Sequence, residues 1–245
     1  KPGSFPTEIK GRWVAESYWG FGNVETKTWN LSSRGISADS GTEKALSLTS
    51  PQNIGFDGGE YCIIWLGEDF PGNQMRDDQG SITFDSPVLT DDMDIVGQPM
   101  LELSFSVDKP VAHVAVRLND VWPSGEVSRI TYHLQNLCMR DSREYPTPLE
   151  PGKRYKMKIK MDDIAWRVPT GHKLRVSIST SYFPMMWPAP EPVTLAKMLV
   201  DDETVGQAQA GREPDIACDR RRTLFAERDH VFAQETGAGA GTAYM

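Results

Sequence analysis

From Gln98 to Met139 the chain alternates apolar and polar residues with a period of two. Leu101, Leu103, Phe105 and Val107 alternate with Glu102, Ser104 and Ser106, the pattern of a strand with one face buried and the other wet. After the Asp108-Lys109-Pro110 break, Ala112, Val114, Val116 and Leu118 fall on one side, with His113, Arg117 and Asn119 on the other. A third run follows the Pro123-Ser124-Gly125 turn and sets Ile130, Tyr132 and Leu134 against Thr131, His133 and Gln135. These segments predict three consecutive antiparallel strands of a half-buried sheet, and therefore a β-sandwich or barrel.

The flanking chain repeats the theme. Short strands are predicted over Thr26 to Ser32, Lys44 to Thr49, Tyr61 to Leu66 and Ser81 to Ser86, separated by turns such as Asp57-Gly58-Gly59. Glu68 to Gly80, rich in Gly, Asp, Asn and Gln, reads as a loop. Tyr155, Met157, Ile159 and Met161 alternate with Arg154, Lys156, Lys158 and Lys160, so this strand carries a basic row of the kind that protects a sheet edge. Beyond the Val168-Pro169-Thr170-Gly171 turn, Leu174, Val176, Ile178 and Thr180 alternate with Arg175, Ser177 and Ser179. After Pro192 the pattern fades; Val193 to Val200 fits a short strand or a helical turn, and most of Asp201 to Met245 reads as weakly ordered or docked elsewhere.

Composition narrows the partners. A chain of 245 residues holds one large domain and a sizeable core, and no apolar run approaches the ~18 residues that a membrane span needs. The net charge of −8, with scattered Lys and Arg, argues against nucleic acid. Cys62, Cys138 and Cys218 are an odd number without Cys-x-x-Cys spacing, so buried thiols in a reducing, cytoplasmic setting are expected. The start, KPGSFPTEIK, lacks the apolar core of a secretory signal and is expected to be an internal cut of a longer protein.

Candidate chemistry is sparse. Gly-x-Ser-x-Gly, His-Glu-x-x-His, the P-loop and Gly-x-Gly-x-x-Gly after a strand are absent from the sequence. His113, His133, His172 and His230 each read as surface or hydrogen-bonded residues, because no partner is placed beside them. Asp91, Asp92 and Asp94 crowd one turn; they suit calcium by type but lack the rest of an EF-hand loop, so a solvated turn is the stronger reading. No catalytic residue, metal ligand or cofactor is therefore expected.

The stretch RDDQGSITFDSPVLTDDMDIVGQP, the LELSFSVDKPVAHVAVRLNDVWPSGEVSRITYHLQNLCMRDS after it, and the later VPTGHKLRVSISTSYFP resemble the C-terminal domain of the cocaine-esterase-like CocE/NonD serine hydrolases, which X-prolyl dipeptidyl-peptidases share. The likeness covers about Met75 to Pro190. It implies an all-β, galactose-binding-like jelly-roll β-sandwich, with the catalytic Ser, Asp and His of the family in a preceding α/β-hydrolase domain. His172 corresponds to none of them and is expected to hold a turn. Family members continue with strand-like sequence after Val193-Thr194-Leu195, whereas Ala196 to Met245 reads as unrelated polar chain.

The expected organisation is a linker or lead-in over 1–12, the sandwich over 13–195 and an atypical tail over 196–245. The expected role is a non-catalytic domain that packs on the α/β-hydrolase domain of its own protein through Trp13, Trp19 and Phe21, walls the substrate cleft of an ester or amide hydrolase, and contributes to a homo-oligomer. The rival is a carbohydrate-binding jelly roll that stacks sugars on Trp122, Trp166 and Trp187.

Overall fold

The structure, a computed structural model, describes residue 9 and residues 11–14, 24–38, 46–59 and 70–197, with 207–210 described in their backbone. In chain order the elements are β1 (Lys27–Ser32), β2 (Gly35–Ser37), β3 (Leu46–Thr49), α1 (Met75–Asp78), β4 (Ile82–Asp85), β5 (Met93–Gly97) and β6 (Met100–Val107). They continue with β7 (His113–Val121), β8 (Val127–Asn136), β9 (Tyr155–Lys160), β10 (Ile164–Val168), β11 (Lys173–Ser179), β12 (Thr194–Lys197) and β13 (Gln207–Ala210).

Among the described residues all strand pairings are antiparallel, and the sheets form the sandwich that the alternation predicts and the jelly roll that the family resemblance implies. One sheet runs β2-β1-β13-β6-β12-β3 with β9 on β6, the other runs β4-β11-β7-β8, and β5 pairs with β10. Phe105 pairs with both Lys197 and Tyr155, and Leu101 with both Ala208 and Ile159. A strand residue has one neighbour per side, so β12 and β13 lie end to end along one edge of β6 while β9 takes the other. Among the described residues β9 pairs only with β6 and so stands at the sheet edge, as its lysine row predicts; Lys158 Nζ lies 2.9 Å from Glu102 on β6.

Leu101, Leu103, Phe105 and Val107 of β6 form one core with Val114, Val116 and Leu118 of β7 and Val176 and Ile178 of β11, none more than 3 % exposed. Each such side chain contributes about 1.5–3 kcal/mol by leaving water. The apolar phase of the three long strands therefore fixes which face of each sheet looks inward.

Four readings change. β6 and β7 are not neighbours in one sheet: the Asp108–Ala112 break carries the chain across the sandwich. Nor is β7 half-buried, since Arg117 and Asn119 on its polar face are both 0 % exposed under loops that the alternation does not reveal. Within the Glu68 to Gly80 loop, α1 forms one helical turn, and the Asp-rich turn leads directly into β5, which continues pairing opposite β10. Past Leu195, β12 runs on to Lys197, and Gln207–Ala210 threads between β1 and β6. The sequence Gln-Ala-Gln-Ala alternates, but over only four residues and with alanine as its apolar member, a signal too short and too weak to mark a strand, so the backbone pairing reveals it. The predicted strand Tyr61 to Leu66, most of the lead-in and the chain beyond 210 lie outside the described residues.

Candidate functional site

The outer face of the second sheet is the part of the molecule where polar chemistry concentrates. Residues 115, 117 and 119 of β7 and 175, 177 and 179 of β11 point away from the core, and two loops, 50–59 and 70–81, cover them together with 180–187. Covering strand-borne charges demands partners, because an unpaired buried ion is costly. α1 supplies them. Asp78 Oδ1 lies 3.2 Å from Arg117 Nη2 and Asp78 Oδ2 lies 3.0 Å from Arg175 Nη1. Ser177 Oγ donates to Asp78 at 2.7 Å and accepts from Asn119 Nδ2 at 3.0 Å. Arg175 also grips Asp85 on β4 with two nitrogens, at 2.5 and 2.8 Å, and that carboxylate holds its guanidinium well above its ordinary pKa.

The same network ties the loops together. Arg117 Nη1 donates to Gln74 Oε1 at 3.2 Å, and Tyr182 Oη donates to the same oxygen at 2.6 Å. Burial raises the Tyr182 phenol pKa, which keeps it a donor. Arg129 on β8 donates to Gly58 O at 2.8 Å and to Tyr182 Oη at 3.0 Å. Asp77 accepts the amides of Gly55 and Asp57 at 2.9 and 3.1 Å. Gly55 has φ +117°, and a Cβ there would lie 2.5 Å from the Tyr182 and Phe183 backbone, so glycine is what lets the loops close on each other.

On top of this clasp stands an aromatic ridge. Phe56 and Phe183 meet edge to face at 6.2 Å, and Phe183 and Trp187 do so at 5.8 Å. Trp187 is 77 % exposed, Phe56 55 % and Met75 44 %. Beside them Arg76 lies over the Phe56 ring and pairs with Asp57 at 3.0 Å. A shallow cleft of about 290 Å³ is lined there by Asp57, Asn73, Met75, Arg76 and Gln79.

The sequence candidates fall elsewhere. His172 Nδ1 lies 2.7 Å from Asp120 Oδ1, both nearly buried, and its ring packs on Trp122 at 5.1 Å. Burial raises the Asp120 pKa against the pull of His172. This pair pins the β10–β11 turn to the end of β7. His133 meets Gln135, and burial lowers the pKa of His113. Among the described residues no serine or cysteine side chain is hydrogen-bonded to a histidine. Arg167 grips Asp94 at 2.6 Å on two nitrogens and Asp92 at 3.3 Å, with Arg12 on Asp94 at 3.0 Å, so guanidinium groups occupy that acidic turn.

The three loop tryptophans do not converge. Trp122 donates to Ser128 and follows the last residue of β7, whereas the Trp187 backbone lies close enough to the His113 imidazole, at the first, to act on its pKa. About 25 Å of strand separates them at ~3.3 Å per residue. Trp166 is partly buried against the core. Trp13 is 67 % exposed; Trp19 and Phe21 lie outside the described residues, as do Cys62, Cys218 and His230. Cys138 is buried, and no described helix is long and apolar enough to cross a membrane. Sequence reasoning missed Gln74, Asp77, Asp78, Asp85 and Tyr182. Their one signal is two strands bearing Arg at matched outward positions, Arg117 and Arg175, for which the Asp77-Asp78 dipeptide is the counter-charge.

This architecture defines a class: an all-β jelly-roll module whose polar chemistry is used to hold its own loops. The chain belongs to the family described as the X-Pro dipeptidyl-peptidase C-terminal non-catalytic domain, which matches residues 5–212. It is 26 % identical over 148 residues to the cocaine esterase of Rhodococcus sp. (strain MB1 Bresler), covering 59 % of this chain and 26 % of that protein. Its fold matches an aminopeptidase from the marine sediment archaeon Thaumarchaeota archaeon at TM-score 0.65 and 14 % identity, over 76 % of this chain and 36 % of that one. A CocE/NonD family hydrolase from Staphylococcus aureus matches at TM-score 0.61 and 12 % identity, over 82 % and 39 %. The chain thus spans about a quarter of the curated relative and under two-fifths of these solved chains.

Proposed function

We propose that this chain serves as the non-catalytic C-terminal domain of a serine hydrolase acting on ester or amide bonds, packing on the α/β-hydrolase domain of the same polypeptide and walling one side of its substrate cleft. The observation that carries this reading is the match of residues 5–212 to a family defined as non-catalytic. The fate of its histidines agrees with it: His172 is committed to Asp120 and to a turn. Nucleophile, base and oxyanion hole would come from the hydrolase domain. A sandwich that begins near residue 13 and takes in β12 and β13, a cytoplasmic setting suited to the free Cys138 thiol, and a share in oligomer contacts belong to the same proposal.

The test is a pull-down of the upstream coding region with this chain, paired with thermal unfolding of that region. Retention of the hydrolase region and a rise of several degrees in its midpoint are expected. No retention and an unchanged midpoint refute the packing role.

A further inference from the structure

We infer that the ridge of Phe56, Met75, Phe183 and Trp187 is the face by which this domain docks on the catalytic hydrolase domain of its own polypeptide, an assignment that rests on the function just proposed. The ridge has the anatomy of an interface. Its centre is aromatic and apolar, with Trp187 77 %, Phe56 55 % and Met75 44 % exposed, and its margin carries Asp57, Asn73, Arg76 and Gln79. Single exposed apolar residues are ordinary, but three rings joined edge to face are a patch.

The ridge is also preorganised. Phe56 is flanked by Gly55 and Asp57, whose amides are both fixed by Asp77, and Phe183 follows Tyr182, which Gln74 and Arg129 hold. The segment 182–186 is closed further by the Met186 amide donating to Tyr182 O at 2.8 Å. Side chains mounted on so braced a base lose little freedom on docking, which favours binding. The buried charges beneath thus connect to function: they fix the positions of residues that face outward.

Size selects the occupant. Such side chains at these exposures offer roughly 500 Å², short of the ~800 Å² per partner of a standard free complex. A tethered partner meets the ridge at an effective concentration on the order of 1 mM, so a contact with a Kd of about 10 μM is ~99 % closed within one polypeptide. At about 0.1 μM a free second copy would close only ~1 % of it. A body on the same chain is what this surface suits, and this chain spans only 26–39 % of these relatives, whose remaining length leaves room for such a body.

The test is hydrogen–deuterium exchange on this chain alone and on the same chain joined to its upstream hydrolase region. Amides of 52–59, 72–80 and 182–188 are expected to slow by about tenfold on joining, and a Phe56→Ser, Trp187→Ser double variant to abolish the slowing. Tyr145→Ser, at a side chain 71 % exposed outside the ridge, should leave it intact. Slowing on another face alone overturns this assignment and leaves the packing role standing. Absence of slowing anywhere overturns both. Slowing of the ridge in the isolated chain with rising concentration makes a second copy the occupant and overturns the tethered partner.

Discussion

Arg117 Nη2 and Asp78 Oδ1 lie 3.2 Å apart with side chains only 0 % and 5 % exposed, so a strand-borne cation and a one-turn helix are joined out of water. In such surroundings desolvation offsets most of the attraction, yet removing one partner leaves the other uncompensated. Asp78→Ala exposes both Arg117 and Arg175 to that fate and is expected to lower unfolding free energy by about 3–5 kcal/mol. Adding Arg117→Met should recover part of the loss. Urea unfolding of the four members of the cycle measures it; a loss under about 1 kcal/mol would show that the pair does not hold the clasp.

Gly55 tests the loops directly. With φ +117° and no room for a Cβ between two backbone neighbours, Gly55→Ala is expected to cost about 2–3 kcal/mol. Gly125→Ala is the comparison, since φ is +99° there but nothing lies within 4 Å; its cost should stay near the left-handed strain alone, about 1–2 kcal/mol. Equal losses in thermal unfolding would mean that loop closure contributes nothing.

Asp94 supplies a pH signature. Its pKa is lowered from 3.8, first by its hydrogen bonds with Arg167 and further by Arg12. A carboxylate lowered in the folded state adds stability above its unfolded value, and loses it as pH falls from about 3.8 through the lower folded value. The group is largely exposed, so screening keeps the contribution small. Arg167→Ala should move the Asp94 midpoint up toward 3.8 in a carbon-13 carboxyl titration. An unmoved midpoint would remove Arg167 as the cause.

The scattered tryptophans predict no sugar site. A glycan array probed with the chain should stay at background, because Trp122 and Trp187 stand at opposite ends of β7 and Trp166 packs on the core. Binding that Trp187→Ala alone abolishes would reverse this and make the ridge a ligand platform.

How far the sequence reaches depends on where each signal lies. Leu101 to Val107, Val114 to Leu118 and Leu174 to Ile178 declare their inward faces because apolar burial and the pleat share one period. The family strings around Met75 to Pro190 place the sandwich in its lineage. The clasp was opaque for a physical reason: Arg117 and Asn119 sit at alternating positions that look solvent-facing, and only the fold brings Asp78, 39 positions away from Arg117, over them. β13 is hidden because its alternation lasts four residues, with alanine as the apolar member, and its pairing is through the backbone. The turn glycine before His172 is legible in the sequence, whereas Asp120, its partner, is not legible from spacing.

The most direct test of the central claim is turnover of an activated ester by three samples: the upstream hydrolase region, this chain, and the two joined, each with and without a serine-directed inhibitor. No inhibitor-sensitive turnover by this chain is predicted, with higher activity in the joined polypeptide than in the upstream region alone. Inhibitor-sensitive hydrolysis by the isolated chain, or equal turnover with and without it, would contradict the assignment of a supporting, non-catalytic role.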